Sequence, residues 1–153
     1  RSAGGARARG RCRHFARGEM KIRHVNPVGL LSLPEYTQVV VSSPGRLAFI
    51  AGQGAFDQHF NLIGADDLQA QTVQAFANLQ TALASVGATP ADVLSSTIYI
   101  VDLDEAKTAT FVAAMKTALD GRAFPPNAST LVGVTRLGHP QMLIEISAIA
   151  AVP

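Results

Sequence analysis

The chain has 153 residues, enough for one domain with a real core, and no run approaches the roughly 18 to 20 apolar residues of a membrane span. Its net charge of +2 is misleading, because six arginines against one glutamate put +5 on residues 1–19, while seven basic and ten acidic residues leave −3 on 20–153. Bulk charge therefore gives no support for a phosphate-tracking surface on the main body of the chain, and no nucleic-acid partner is expected.

The segment "RSAGGARARGRCRHFARGE" has no apolar stretch of a secretory signal and only a loose likeness to an organellar transit peptide. Met20 is followed at once by sequence that behaves like a domain. Residues 1–19 are expected to be an Arg/Gly-rich tail, disordered by composition and of vector or upstream-translated origin, with targeting or an interaction arm as alternatives. Residues 20–153 are expected to form a single domain. The only cysteine, Cys12, lies in the tail, so the domain has no disulfide or thiolate zinc site, which fits a cytoplasmic location.

The first predicted strand is "YTQVVV", residues 36–41, joined to "RLAFIAGQ", Arg46–Gln53, by a hairpin turn "SSPG". Tyr36 at the head of that strand is a candidate pocket wall, or a plain strand aromatic. Ala51, Gly52 and Gln53 close the second strand, where a glycine permits either a bulge or the close approach of a ligand. Over residues 67–86, Leu68, Ala75, Phe76, Leu79, Leu83 and Val86 recur at helical spacing, with Gly87 placed to end the helix. Gln71 and Asn78 on this helix are expected to tie helix to sheet rather than touch a substrate.

"VLSSTIYIV", Val93–Val101, reads as a strand by its β-branched content. Asp102 is the predicted cap of a second helix carrying Phe111, Met115 and Leu119 as its apolar stripe. The last two strands are "STLVGV" and "MLIEISAIA", separated by the turn "LGHP". The β-β-α-β-α-β-β order predicts an α+β fold, a mixed sheet with both helices on one face. Several strands carry apolar or small residues on both faces, which predicts that the second face meets another subunit.

Glu145 stands inside "LIEIS", with Ile144 and Ile146 pointing to the other face. A carboxylate there needs hydrogen bonds or a wet cavity, and desolvation would favour a general acid/base role; a structural pairing at a subunit seam is the alternative. His24, His59 and His139 lie far apart in turns, without ligand spacing, so no metal is expected.

"YTQVV", "LAFIAGQ", Gln71 with Asn78 and Leu79, "VLSSTIYIVDL" and the closing "VTRL…LIEISAIA" together resemble the Rid family of reactive-intermediate deaminases, also called YjgF or endoribonuclease L-PSP. The resemblance covers roughly residues 24–151. It implies a chorismate-mutase-like fold and a homotrimer with pockets between subunits. It also implies, for the family's deaminase branch, hydrolysis of imines derived from amino acids to 2-oxo acids and ammonia without a cofactor.

By this resemblance Glu145 matches the glutamate that handles the attacking water, and Tyr36 matches a pocket tyrosine. Ala51 stands where a serine would be, beside Gly52 and Gln53. The family arginine that clamps a substrate carboxylate has no counterpart: Asn127 or Ser129 stands at its position in "FPPNASTLVGVTRL", depending on the direction of counting. Arg136 falls on the opposite face of the strand from Ser129. The expected site is therefore Glu145 as catalyst, with Tyr36, Ala51, Gly52, Gln53, Asn127, Ser129 and Thr130 around a small-molecule ligand. The expected activity is a deaminase-like hydrolysis of an imine, enamine or related small carbonyl compound, poor on 2-imino acids. The alternatives are a trimer that only binds a small metabolite and, last, an endoribonuclease.

Overall fold

The computed structural model describes residues 22–25, 39–42 and 45–152; Tyr36 and the tail lie outside them. Strand β1 (Ile22–Val25) pairs antiparallel with β2 (Val39–Ser42). The sequence reading missed β1 and paired the first predicted strand with the next through a hairpin. Instead, β2 pairs with β1, and β3 (Arg46–Gln53) pairs antiparallel with β6 (Ile144–Val152). A four-stranded mixed sheet results, in the order β3-β6-β4-β5, with β4 (Val93–Val101) antiparallel to β6 and parallel to β5 (Ala128–Val134).

Helix α1 (Leu68–Ser85) starts where the Asp67 side chain accepts a hydrogen bond from the Ala70 N–H at 3.0 Å, satisfying an otherwise orphaned donor. It ends before Gly87, whose φ of +77° is a conformation glycine adopts without steric cost. Helix α2 (Glu105–Ala118) is capped by Asp104, which accepts from the Lys107 N–H at 2.7 Å. The predicted cap, Asp102, instead occupies a left-handed turn with φ +49°, and its N–H donates to the Val134 carbonyl at 2.8 Å. That hydrogen bond joins the end of β4 to the end of β5, and the helix begins two residues later.

Both helices cover one sheet face. Phe76 and Leu79 of α1 and Phe111 of α2 share a core with Ile98 and Ile100 of β4 and Ile144 and Ile146 of β6. Phe76 meets Phe124 edge to face at 5.4 Å between ring centroids, which draws the segment after α2 onto the same core. The register sets Ile98 opposite Ile146 and Ile100 opposite Ile144. The odd-numbered residues between them, Tyr99 and Glu145, are thereby opposite each other on the uncovered face. That face carries Leu47 and Phe49 of β3, which remain 50% and 75% exposed.

Candidate functional site

Glu145 is half-buried on β6, facing away from the helices. No hydrogen bond or ion pair reaches its carboxylate from the described residues, although every buried polar side-chain atom among those residues is satisfied. Beside it, β3 is irregular: Ile50 pairs with Ala148 but Gln53 with Ile146, so two residues, Ala51 and Gly52, stand against Ser147 alone. The Gln53 side chain donates back to the Ala51 carbonyl at 2.9 Å across this bulge. Gly52 presents bare backbone to Glu145, and a β-carbon on it would overlap the carboxylate. The two readings of this glycine, a bulge and a close approach, thus hold together, the approaching group being Glu145 itself.

Two helix side chains hold the segments that flank this pair. Buried Gln71 donates to the carbonyls of Gly64 (3.0 Å) and Gln141 (2.8 Å) and accepts from the Leu143 N–H (2.8 Å), just before β6. Asn78 donates to the carbonyls of Gly54 and Phe56, both at 2.8 Å, just after Gly52 and Gln53. Gln71 is spent on backbone, and so are the donors of Asn78, whose Oδ1 accepts from Gln74 Nε2 at 2.9 Å.

Thr130 lies opposite Thr97, which is opposite Ser147, on the same open face as Glu145. Asn127 and Ser129 do not join them. Ser129 pairs with Ser96 on the helix-covered face, at the mouth of a cavity of about 300 Å³. The apolar wall of that cavity is Ile98, Phe111, Met115, Phe124 and Leu131. The strand pairing sets Ser129 in phase with Ile98 and Ile146, one residue out of step with Glu145, so within one chain Ser129 and Glu145 occupy opposite faces of the sheet.

The polar end of the cavity is closed on itself. Ser96 Oγ is 2.8 Å from Asn127 Oδ1 and 2.9 Å from Ser129 Oγ, and the Asn127 amide nitrogen donates to the Pro125 carbonyl at 2.9 Å. A hydroxyl has one proton; that of Ser96 goes to the acceptor-only Oδ1, so Ser129 donates to Ser96. Sequence reasoning passed over both Ser96 and Tyr99. Their faces follow from alternation with Ile98 and Ile100, but their partners depend on a register that no local pattern states.

Among the described residues, no three His, Cys, Asp or Glu side chains form a metal-holding group, and no helix is long and apolar enough to cross a membrane. His139 packs edge-on against Phe56 and Phe60, at 5.5 and 6.2 Å between centroids.

The endoribonuclease L-PSP family model matches residues 29–152. The chain belongs to the Rid/YjgF/L-PSP family. Among solved structures it is similar to a conserved Rid-family protein of unknown function from Yersinia pestis, at 36% identity and a TM-score of 0.76 over 86% of this chain and 98% of that one. It is also similar to a YjgF/YER057c/UK114-family protein from Mycobacterium tuberculosis, at 30% identity and TM-score 0.54 over 86% and 100% of the two chains. A putative endoribonuclease from Thermotoga maritima matches at 25% identity and TM-score 0.58 over 77% and 87%. In this chain Gly52 meets Glu145 beside the bulge that Gln53 spans, and Ser96, Asn127 and Ser129 form an internally bonded network on the other face.

Proposed function

We propose that this Rid-family chain is a small-molecule hydrolase of the deaminase type, a homotrimer whose pockets lie between subunits. The observation that carries this reading is the Glu145 carboxylate, fixed over Gly52 on the open sheet face and unpaired among the described residues. Such a carboxylate is placed to accept a proton from water and return it to a leaving nitrogen. In the reaction, water adds to the carbon of a C=N bond while Glu145 takes its proton. Glu145 passes that proton to the nitrogen, giving a carbinolamine, then takes the carbinolamine's hydroxyl proton and delivers it to the amino group, so that the C–N bond breaks and a carbonyl compound and ammonia leave.

Two features support a site between subunits. A site that uses both Glu145 and the cavity at Ser129 needs two chains, since one chain sets them on opposite faces. Phe49 and Leu47 leave an apolar surface uncovered beside Glu145's strand, the kind of surface that a second subunit buries.

The substrate is a neutral imine, enamine or related small carbonyl compound rather than a 2-imino acid. A bidentate arginine–carboxylate pair is charge-assisted and about twice as strong per bond as a neutral contact, and no such cation stands at Asn127 or Ser129. The test is ammonia release from the N–H imine of acetophenone by the wild-type trimer and by Glu145→Gln, with the assembly followed by light scattering. Wild type should exceed the spontaneous rate, and Glu145→Gln should fall to it while remaining trimeric. Equal rates for the two proteins would remove Glu145 from catalysis, and saturable binding without ammonia release would make the chain a binding trimer.

A further inference from the structure

The geometry points to the cavity between α2 and the edge strand β5 as a specificity pocket for a neutral apolar group, about the size of a substituted phenyl ring, that discriminates against carboxylates. This deepens the function proposed above and rests on it for the identity of the reacting group, but the binding claim stands on the cavity itself.

Size is the first argument. An apolar cavity of about 150 Å³ holds benzene, and ligand pockets begin near 300 Å³. At about 300 Å³, this cavity has room for a phenyl ring with a short substituent. Its wall of Phe111, Phe124, Met115, Ile98 and Leu131 offers an aromatic ring both edge contacts and a soft thioether.

The second argument is where the protons are. In the chain from Ser129 to Ser96 to Asn127 to the Pro125 carbonyl, each hydroxyl proton is committed inside the protein, and the Asn127 amide nitrogen is tied to the same backbone turn. What this rim presents to a ligand is neutral: Ser129 Oγ and the second N–H of the Asn127 amide. Neutral groups can bond a neutral polar end, but give an anion no charge-assisted contact. No lysine or arginine lines the cavity to offset the dehydration of a carboxylate. The segment that in the family pattern would hold an acid thus excludes one here.

The third argument is access. Leu131 is 39% exposed on β5, the outer strand of the sheet, so the cavity opens at an edge rather than ending in the core. A ligand seated there can leave its polar end protruding from the edge of the sheet.

The experiment uses full-length protein labelled with ¹³C-methyl methionine, whose three signals include Met115 in the cavity wall and Met142 elsewhere in the core. Met115→Leu assigns the reporter. Acetophenone should move the Met115 signal saturably, with benzoate at least about tenfold weaker, a difference near 1.4 kcal/mol. Leu131→Arg, at an exposed position, should weaken acetophenone binding and improve that of benzoate. A shift at Met142 without one at Met115, no acetophenone shift, or benzoate binding as tight as acetophenone would each overturn the inference. If Met115 responds but no imine is hydrolysed, the hydrolase reading fails and the pocket stands. If imines are hydrolysed through Glu145 with Met115 silent, the pocket fails alone.

Discussion

The carboxylate of Glu145 occupies the space in front of Gly52 that any other residue would fill with its β-carbon. Gly52 has no positive φ among the backbone exceptions of the chain, so the demand for glycine comes from Glu145 and not from the backbone. Gly52→Ala should therefore fold, at a cost of about 1 kcal/mol, because the displaced atoms, Glu145 Cγ to Oε1, belong to one half-buried side chain and not to backbone. Imine hydrolysis should nevertheless fall nearly as far as in Glu145→Gln. Thermal unfolding together with ammonia release checks this; full activity in a stable Gly52→Ala protein would detach the two residues.

Gln71 predicts the opposite pattern. Replacing it with leucine keeps the apolar face of α1 but removes one acceptor and two donors from partly buried backbone groups at residues 64, 141 and 143. Each buried polar group left unpaired costs about 1–3 kcal/mol, so Gln71→Leu should lose roughly 2–4 kcal/mol in urea unfolding. An unchanged midpoint would mean that water replaces the amide.

Asp57 ties the loop after β3. It accepts from the Asn61 side chain and N–H, both at 2.9 Å, and from the His59 N–H at 2.8 Å. The Asn61 side-chain bond, then the Asn61 backbone bond and, least, that of His59, hold its carboxyl below the ordinary aspartate pKa against the opposing effect of desolvation. A depressed folded-state pKa means that the ionised carboxylate's contribution is complete above the ordinary value and is lost as the pH falls through the folded one. Amide exchange at His59 and Asn61 should therefore stay slow at pH 6 and accelerate, relative to the intrinsic rate, only in that acid window. In Asp57→Ala it should be fast throughout. A transition near neutral pH would point to another group.

Much of this was readable in the chain. The helical period of Leu68, Phe76, Leu79 and Leu83 places α1, and the isolation of Glu145 among isoleucines marks it as unusual before any coordinate is known. Other features depend on pairing. Alternation assigns a residue to one of two faces of its own strand, but whether Ser129 shares a face with Glu145 is set by the register through β4, which sequence periodicity does not contain. The cap of α2 moved from Asp102 to Asp104 for a similar reason: a contact with Val134, distant in sequence, took Asp102 into a turn. Tyr36, matched by resemblance to a pocket tyrosine, lies outside the described residues, and its role is a proposal on that likeness alone.

The central claim is a hydrolytic Rid-family site that has exchanged a carboxylate clamp for a neutral pocket. Its most direct test is the ratio of kcat/KM values for the N–H imine of acetophenone and for 2-iminobutanoate, both read as ammonia release above the spontaneous rate. Loss of a charge-assisted bidentate contact predicts a ratio of at least about 100 in favour of the neutral imine. Rapid hydrolysis of 2-iminobutanoate by the wild-type protein, with a ratio near or below one, would contradict it.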